Sequence, residues 1–141
     1  MAHIELLHLN YLAVGVGALV AFFIGGIWYA ALFAKAWARQ HGHSPEQLRQ
    51  MQAKRPMPVF FGVLIVCYFV AAAAMGMLMQ SMAGVSLQAG VRVGLLSWLI
   101  VAAFRMTAHI SSPRPIGAFL IDSGFDLIAL PVMGAILGSW R

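Results

Sequence analysis

Acidic residues are scarce in this chain of 141 residues, which has only four Asp and Glu against nine Lys and Arg. Charged residues of both signs make up 9% of the sequence, whereas hydrophobic residues make up 62%. A soluble domain carries a larger share of charged side chains, so the composition indicates an integral membrane protein. The single cysteine, Cys67, excludes a disulfide within the chain and has no metal-site spacing around it.

Motifs for catalysis and for cofactor binding are lacking as well. The chain has no nucleophile paired with a base, no phosphate-binding loop and no cluster of metal ligands, so we expect no enzymatic activity and no cofactor. The histidines do not converge and predict no metal or haem site; they are His3, His8, His41, His43 and His109. The basic residues flank apolar stretches instead of forming a patch, which argues against nucleic acid as a partner.

Four long apolar stretches occupy most of the chain. They cover about 9–33, 59–79, 89–108 and 117–139. Each is close to the roughly 20 residues that a helix needs to cross a lipid bilayer. We therefore predict an all-α fold in which residues 1–141 form a single membrane domain, an integral four-helix bundle.

The connection between the first two spans, at about 34–58, contains a typical helix start. Ser44 is placed to be the N-cap, Pro45 to be the first helical residue and Gln47 to close a capping box. A short interfacial helix from there to about Arg55 would present basic side chains to anionic lipid head groups. The alternative is a solvated basic loop.

Lysine and arginine residues are distributed unevenly between the two sides of this bundle. Only Arg92 and Arg141 fall on one side, and the other seven lie in or beside the first and third connections: Lys35, Arg39, Arg49, Lys54, Arg55, Arg105 and Arg114. The basic side of a membrane protein normally stays in the cytoplasm. We therefore expect both termini to lie outside the cytoplasm, in a bacterial inner membrane.

Aromatic residues near the ends of the spans fit the same borders. Trp28, Tyr29 and Trp37 fall near the basic side, and Trp140 falls near the other side. Tryptophan and tyrosine are enriched where a membrane meets water. We therefore predict that these four residues anchor the protein at the two interfaces.

The first span also has a distinctive pattern, in which Gly25, the Trp28–Tyr29 pair and Trp37 follow Asn10 and Tyr11. This pattern resembles the opening of a family of small membrane proteins known as domain of unknown function 1761. The last span is similar to the family's last helix at Asp122, Leu127, Gly134 and Trp140. The resemblance implies four spans over nearly the whole chain, and it brings no established activity.

Glycines recur at helical spacing in three of the spans. They are Gly15, Gly25 and Gly26 in the first span, Gly90 and Gly94 in the third, and Gly134 and Gly138 in the fourth. Small residues let helix backbones approach closely inside a membrane. We expect these faces to join helices within one bundle, with contact between protomers as the alternative.

The two acidic residues of the fourth span, Asp122 and Asp126, are the strongest candidates for a functional site. They lie one helical turn apart and so share a face. A charge at the bilayer centre costs about 2.5 to 3.5 kcal/mol, so such residues need a partner, a cavity or a ligand. Arg105 and His109 reach a depth similar to that of Asp122. We predict an ion pair between Arg105 and Asp122, which leaves Asp126 without a partner.

Two classes of function remain open. The first is an accessory or structural subunit that joins a larger membrane complex or forms a homo-oligomer through its glycine faces. The alternative is a small proton-linked or cation-linked transporter or channel that uses Asp122 and Asp126, with Arg105 and His109 beside them. We place the first class ahead, because the chain is small and has no catalytic motif.

Overall fold

A computed structural model describes residues 8–140 of the chain, and every regular element within that range is helical. The helices are α1 (Tyr11–Gly26), α2 (Ala34–Gln40), α3 (Pro45–Lys54), α4 (Met57–Gln80), α5 (Leu87–Ile110) and α6 (Ile116–Ser139). Helix α1 continues into a π-helical segment at Ile27–Leu32. The predicted all-α fold is confirmed. His3 and Arg141, which the sequence analysis also considered, lie outside the described residues.

Among the described residues, four helices are long and apolar enough to cross a membrane. They are Tyr11–Leu32, Met57–Gln80, Leu87–Ile110 and Ile116–Ser139. These bounds agree with the predicted spans to within about two residues. Helix α4 starts at Met57, earlier than predicted, because a proline at the start of a helix costs no backbone hydrogen bond.

The connection at 34–58 is more helical than the sequence predicted. Ser44 and Gln47 form the expected capping box, and helix α3 follows it. The unexpected element is α2, which ends at Gln40 and is followed by Gly42, where a φ of 72° favours glycine. The side chain of Gln40 fills the space beside Gly117, so α2 rests on the beginning of α6.

The four spans pack unevenly. Helix α6 is central, with α1 on one side and α5 on the other, while α4 packs mainly against α1. The shared core includes Val14 of α1, Ala72 and Met75 of α4, and Phe125 and Met133 of α6. Helix α6 therefore contacts all three other spans, most extensively α5.

The two ends of the bundle differ in how closely the helices approach. At the closed end, which holds the 81–86 turn and Trp140, α4 buries residues only between Ala72 and Met79, and α5 buries only Gly90 and Gly94. At the basic end, which holds residues 33–56 and the 111–115 turn, neither helix buries any residue. The bundle is therefore tight at the closed end and looser at the basic end.

Helices α5 and α6 lie in backbone contact at the closed end. A Cβ atom on Gly90 would overlap the carbonyl oxygen of Gly134, and one on Gly94 would lie 2.5 Å from the oxygen of Leu130. A Cβ atom on Gly138 would overlap the carbonyl oxygen of the α5 N-cap residue in the same way. The glycine faces of the last two spans thus join helices of the same chain.

Candidate functional site

The π-helical segment directs two aromatic side chains towards α6. The amide of Phe33 donates to the carbonyl of Trp28, five residues earlier, at 2.8 Å. Trp28 Nε1 donates to the carbonyl of Ile121 at 2.9 Å, and its ring lies over Gly124. Segments of π-helix recur at functional sites, where they reorient side chains. Trp28 and its neighbour Tyr29 were predicted as interface anchors, and the structure shows that both contact the central helix.

Tyr29 binds the first of the two acidic residues of α6. Its hydroxyl donates to Oδ1 of Asp122 at 2.8 Å, and its ring packs against Phe125. No Lys, Arg or His among residues 8–140 lies within ion-pair distance of Asp122. The Asp122 carboxylate therefore has a neutral donor on one side and forms no ion pair with a described basic residue.

Arg105 binds the second acidic residue, Asp126. Its Nε lies 2.5 Å from Oδ2, and its Nη2 donates to Oδ1 at 3.2 Å. The Asp126 side chain is 10% exposed, whereas that of Arg105 is 41% exposed. The predicted pairing was wrong: Arg105 forms its ion pair with Asp126, and no described basic side chain lies within ion-pair distance of Asp122.

The directions in which helical side chains lean explain this pairing. Gly94 lies against Leu130, so in the antiparallel pair Arg105 is level with the turn that precedes Asp122. Side chains lean towards the N-terminus of their helix, which is the closed end for α5 and the basic end for α6. Arg105 and Asp126 therefore lean towards each other. The long arginine side chain reaches Asp126 although the two residues lie at different depths along their helices.

A cavity of about 280 Å³ opens beside Asp122 at the basic end. Its polar lining consists of Arg105, His109, Ser112, Arg114 and Asp122, and Phe119 forms an apolar wall. The ring of His109 lies 5.9 Å from that of Phe119. Because Arg114 and Ser112 belong to the turn between α5 and α6, the cavity leads from the surface of the basic end to Asp122.

The other predicted residues take separate positions. Gly25 lies under Tyr68 and Phe125, whereas an added Cβ on Gly15 or Gly26 would meet nothing within 4 Å. Trp37 stacks on His41 in α2, with ring centroids 4.0 Å apart. Trp140 remains exposed at the closed end, where its carbonyl accepts from Asn10 Nδ2.

Sequence reasoning missed two contacts that hold α6 in place. Trp98 Nε1 donates to the carbonyl of Ser123 at 2.9 Å, which ties α5 to α6 near the carboxylates. Trp28, in the π-helical segment, donates to the carbonyl of Ile121 and ties that segment to α6. The small residues Gly117 and Gly124, seven positions apart on one face of α6, were the available signal that side chains from elsewhere pack there.

Comparison with known proteins identifies a family and gives no activity. Residues 12–138 match the model of a family described as "Protein of unknown function (DUF1761)". The chain matches no curated protein and no solved structure. Within residues 8–140, no three His, Cys, Asp or Glu side chains are grouped so that they could hold a metal ion.

Proposed function

The chain belongs to the DUF1761 family of proteins of unknown function, and we propose that it is a small membrane transporter or channel for a proton or cation. In this proposal Asp122 is the binding group, and the cavity at the basic end is the route to it. The Arg105–Asp126 ion pair positions α5 against α6 beside the site.

One observation carries the proposal: Asp122 is a carboxylate inside a membrane-spanning helix, it lines a cavity, and it has no cation partner among the described residues. A carboxylate that forms no ion pair within a span is costly, so it needs a proton, a cation or water. The hydroxyl of Tyr29 donates to one oxygen of Asp122 and orients the carboxylate. A cation that reaches Asp122 through the cavity would supply the missing charge.

The packing also supports movement of one helix relative to the others. Contacts between α4 and α5 are few, whereas α5 and α6 are joined by glycine faces along the closed end. Passage from Asp122 to the closed end has to cross the apolar core that includes Met133 and Leu137. We propose that α4, whose contacts with both α5 and α6 are few, moves to open that path.

Flux through proteoliposomes tests the proposal. The protein would be reconstituted, and the movement of protons, Na⁺ and K⁺ would be followed for the wild type and for Asp122→Asn. We expect the wild type to conduct one of these ions and Asp122→Asn to lose the flux while remaining folded. Glu46→Gln, which removes an exposed acid from α3, is the matched control and should conduct as the wild type does. Absence of flux in the wild type would refute the proposal.

A subunit role is a second candidate, favoured by two glycines of the first span that do not pack closely against another helix of the same chain. Gly15 and Gly26 lie on one side of the first span, about three turns apart, and an added Cβ at either position would meet no atom within 4 Å. Such a face could join a second copy of the chain or another membrane protein. Native mass after gentle extraction tests this role, and an assembly that Gly26→Leu breaks would support it. A monomer of the wild type would contradict it.

The orientation and the lipid contacts remain proposals as well. We propose that the basic end faces the cytoplasm of a bacterial inner membrane, with α3 beside anionic lipid head groups, because Arg49 and Lys54 are exposed there. In a Cys67→Ser background, a cysteine introduced at Ser44 should react with a membrane-impermeant thiol reagent only from the cytoplasmic side. One introduced at Ser86 should react only from the opposite side.

A further inference from the structure

We infer that the cavity at the basic end binds a small zwitterion, a molecule with one ammonium group and one anionic group a few bonds away. The ammonium group binds Asp122, and the anionic group binds Arg114. This inference rests on the proposed role of Asp122 and names the class of ligand that the site takes.

The charges that line the cavity carry the argument. The guanidinium of Arg105 is occupied by Asp126 through both Nε and Nη2, so this pair contributes no net charge. The remaining full charges are the carboxylate of Asp122 and the guanidinium of Arg114. A ligand with a single charge would pair with only one of these two groups. A zwitterion compensates both.

The neutral part of the lining is also suited to such a ligand. Ser112 and His109 add hydrogen-bonding groups on the side of the cavity near Arg114, and Phe119 provides an apolar wall for a short carbon chain. Asp122 is about six residues into α6, roughly 9 Å along the axis from the helix start beside Arg114. Arg114 and Asp122 line the same cavity across this separation, so ligands with several bonds between their charges fit best.

The same chemistry could come from a soluble molecule or from the head group of a zwitterionic lipid. A volume of about 280 Å³ is just below the range of typical small-molecule pockets, so it accommodates a short amino acid or a phosphoethanolamine group. The test therefore uses both sources. 4-Aminobutyrate is the soluble probe, and phosphatidylethanolamine is the lipid probe.

Binding would be measured by calorimetry on the full-length protein in neutral maltoside micelles. We expect 4-aminobutyrate or soluble phosphoethanolamine to bind at least about tenfold more tightly than butyrate and butylamine, which each carry one of the two charges. Arg114→Gln and Asp122→Asn should each weaken binding at least about tenfold. Arg92→Gln, which removes a basic residue at the closed end, is the matched control and should bind as the wild type does.

The lipid arm uses native mass spectrometry of protein extracted with defined lipids. If the wild type retains phosphatidylethanolamine in preference to phosphatidylglycerol, and Arg114→Gln loses that preference, the site is assigned to a lipid head group. Equal affinity for the zwitterion and its singly charged analogues, with no lipid preference, would overturn the inference.

Failure of this inference is distinguishable from failure of the proposed function. Ion flux that needs Asp122, without any zwitterion binding, would leave the transport proposal standing and remove the ligand class. Zwitterion binding that needs Asp122 and Arg114, without any ion flux, would establish the binding site and refute ion transport.

Discussion

Substitution of Gly94 by alanine should separate the two most tightly packed helices. The new Cβ would lie 2.5 Å from both the carbonyl oxygen of Leu130 and Cα of Pro131. Favourable contacts between non-bonded carbon atoms lie at about 3.5 to 4.0 Å, so α5 and α6 must move apart by about 1 Å. Both obstacles are backbone atoms and cannot rotate away. Overpacking of this kind costs about 1 to 3 kcal/mol.

Gly62→Ala is the matched control, because an added Cβ at Gly62 of α4 would meet nothing within 4 Å. Alanine favours a helix over glycine by up to about 1 kcal/mol, so this variant should be as stable as the wild type or slightly more stable. The free energy of unfolding would be measured by circular dichroism in mixed micelles of maltoside and sodium dodecyl sulfate. Equal stability of the Gly94→Ala and Gly62→Ala variants would refute the close contact between α5 and α6.

Three further predictions follow from single contacts. Asp126→Asn should lower the free energy of unfolding, but by less than the roughly 3 to 5 kcal/mol of a fully buried pair, because Arg105 is 41% exposed; an unchanged stability would contradict the ion pair. Trp98→Phe should cost about 1 kcal/mol in the same assay through loss of its hydrogen bond to α6. Ser44→Ala should lower the stability of the start of α3 by about 1 kcal/mol, so amide hydrogen exchange should become faster there and stay unchanged in α6.

The spans and one cap were predictable because each depends on a short stretch of sequence. Continuous apolar runs indicated the four membrane helices, and the spacing of Ser44 and Gln47 indicated the start of α3. The π-helical segment Ile27–Leu32 was not predictable, because its apolar residues fit an ordinary helix equally well. Its consequence, the inward direction of Trp28 and Tyr29, depends on contacts with α6.

The sequence predicted which charged residues belong to the candidate site, but it did not predict which of them form the ion pair. Scarcity of acidic residues singled out Asp122 and Asp126, and depth within the membrane added Arg105 and His109. A comparison of depths alone predicted the wrong partner for Arg105, because side chains on antiparallel helices lean in opposite directions. The partner of Asp122, Tyr29, comes from a distant part of the sequence and could be found only from the fold.

The central claim is that the two carboxylates differ, with Asp122 open to ligands and Asp126 held by Arg105. Reaction of the reconstituted protein with a hydrophobic carbodiimide, followed by peptide mass spectrometry, tests this claim most directly. Such reagents modify accessible carboxyl groups within membranes. The account predicts an adduct on Asp122, reduced in the presence of the ion that the protein conducts, and little adduct on Asp126. Preferential modification of Asp126, or equal modification of both residues, would contradict it.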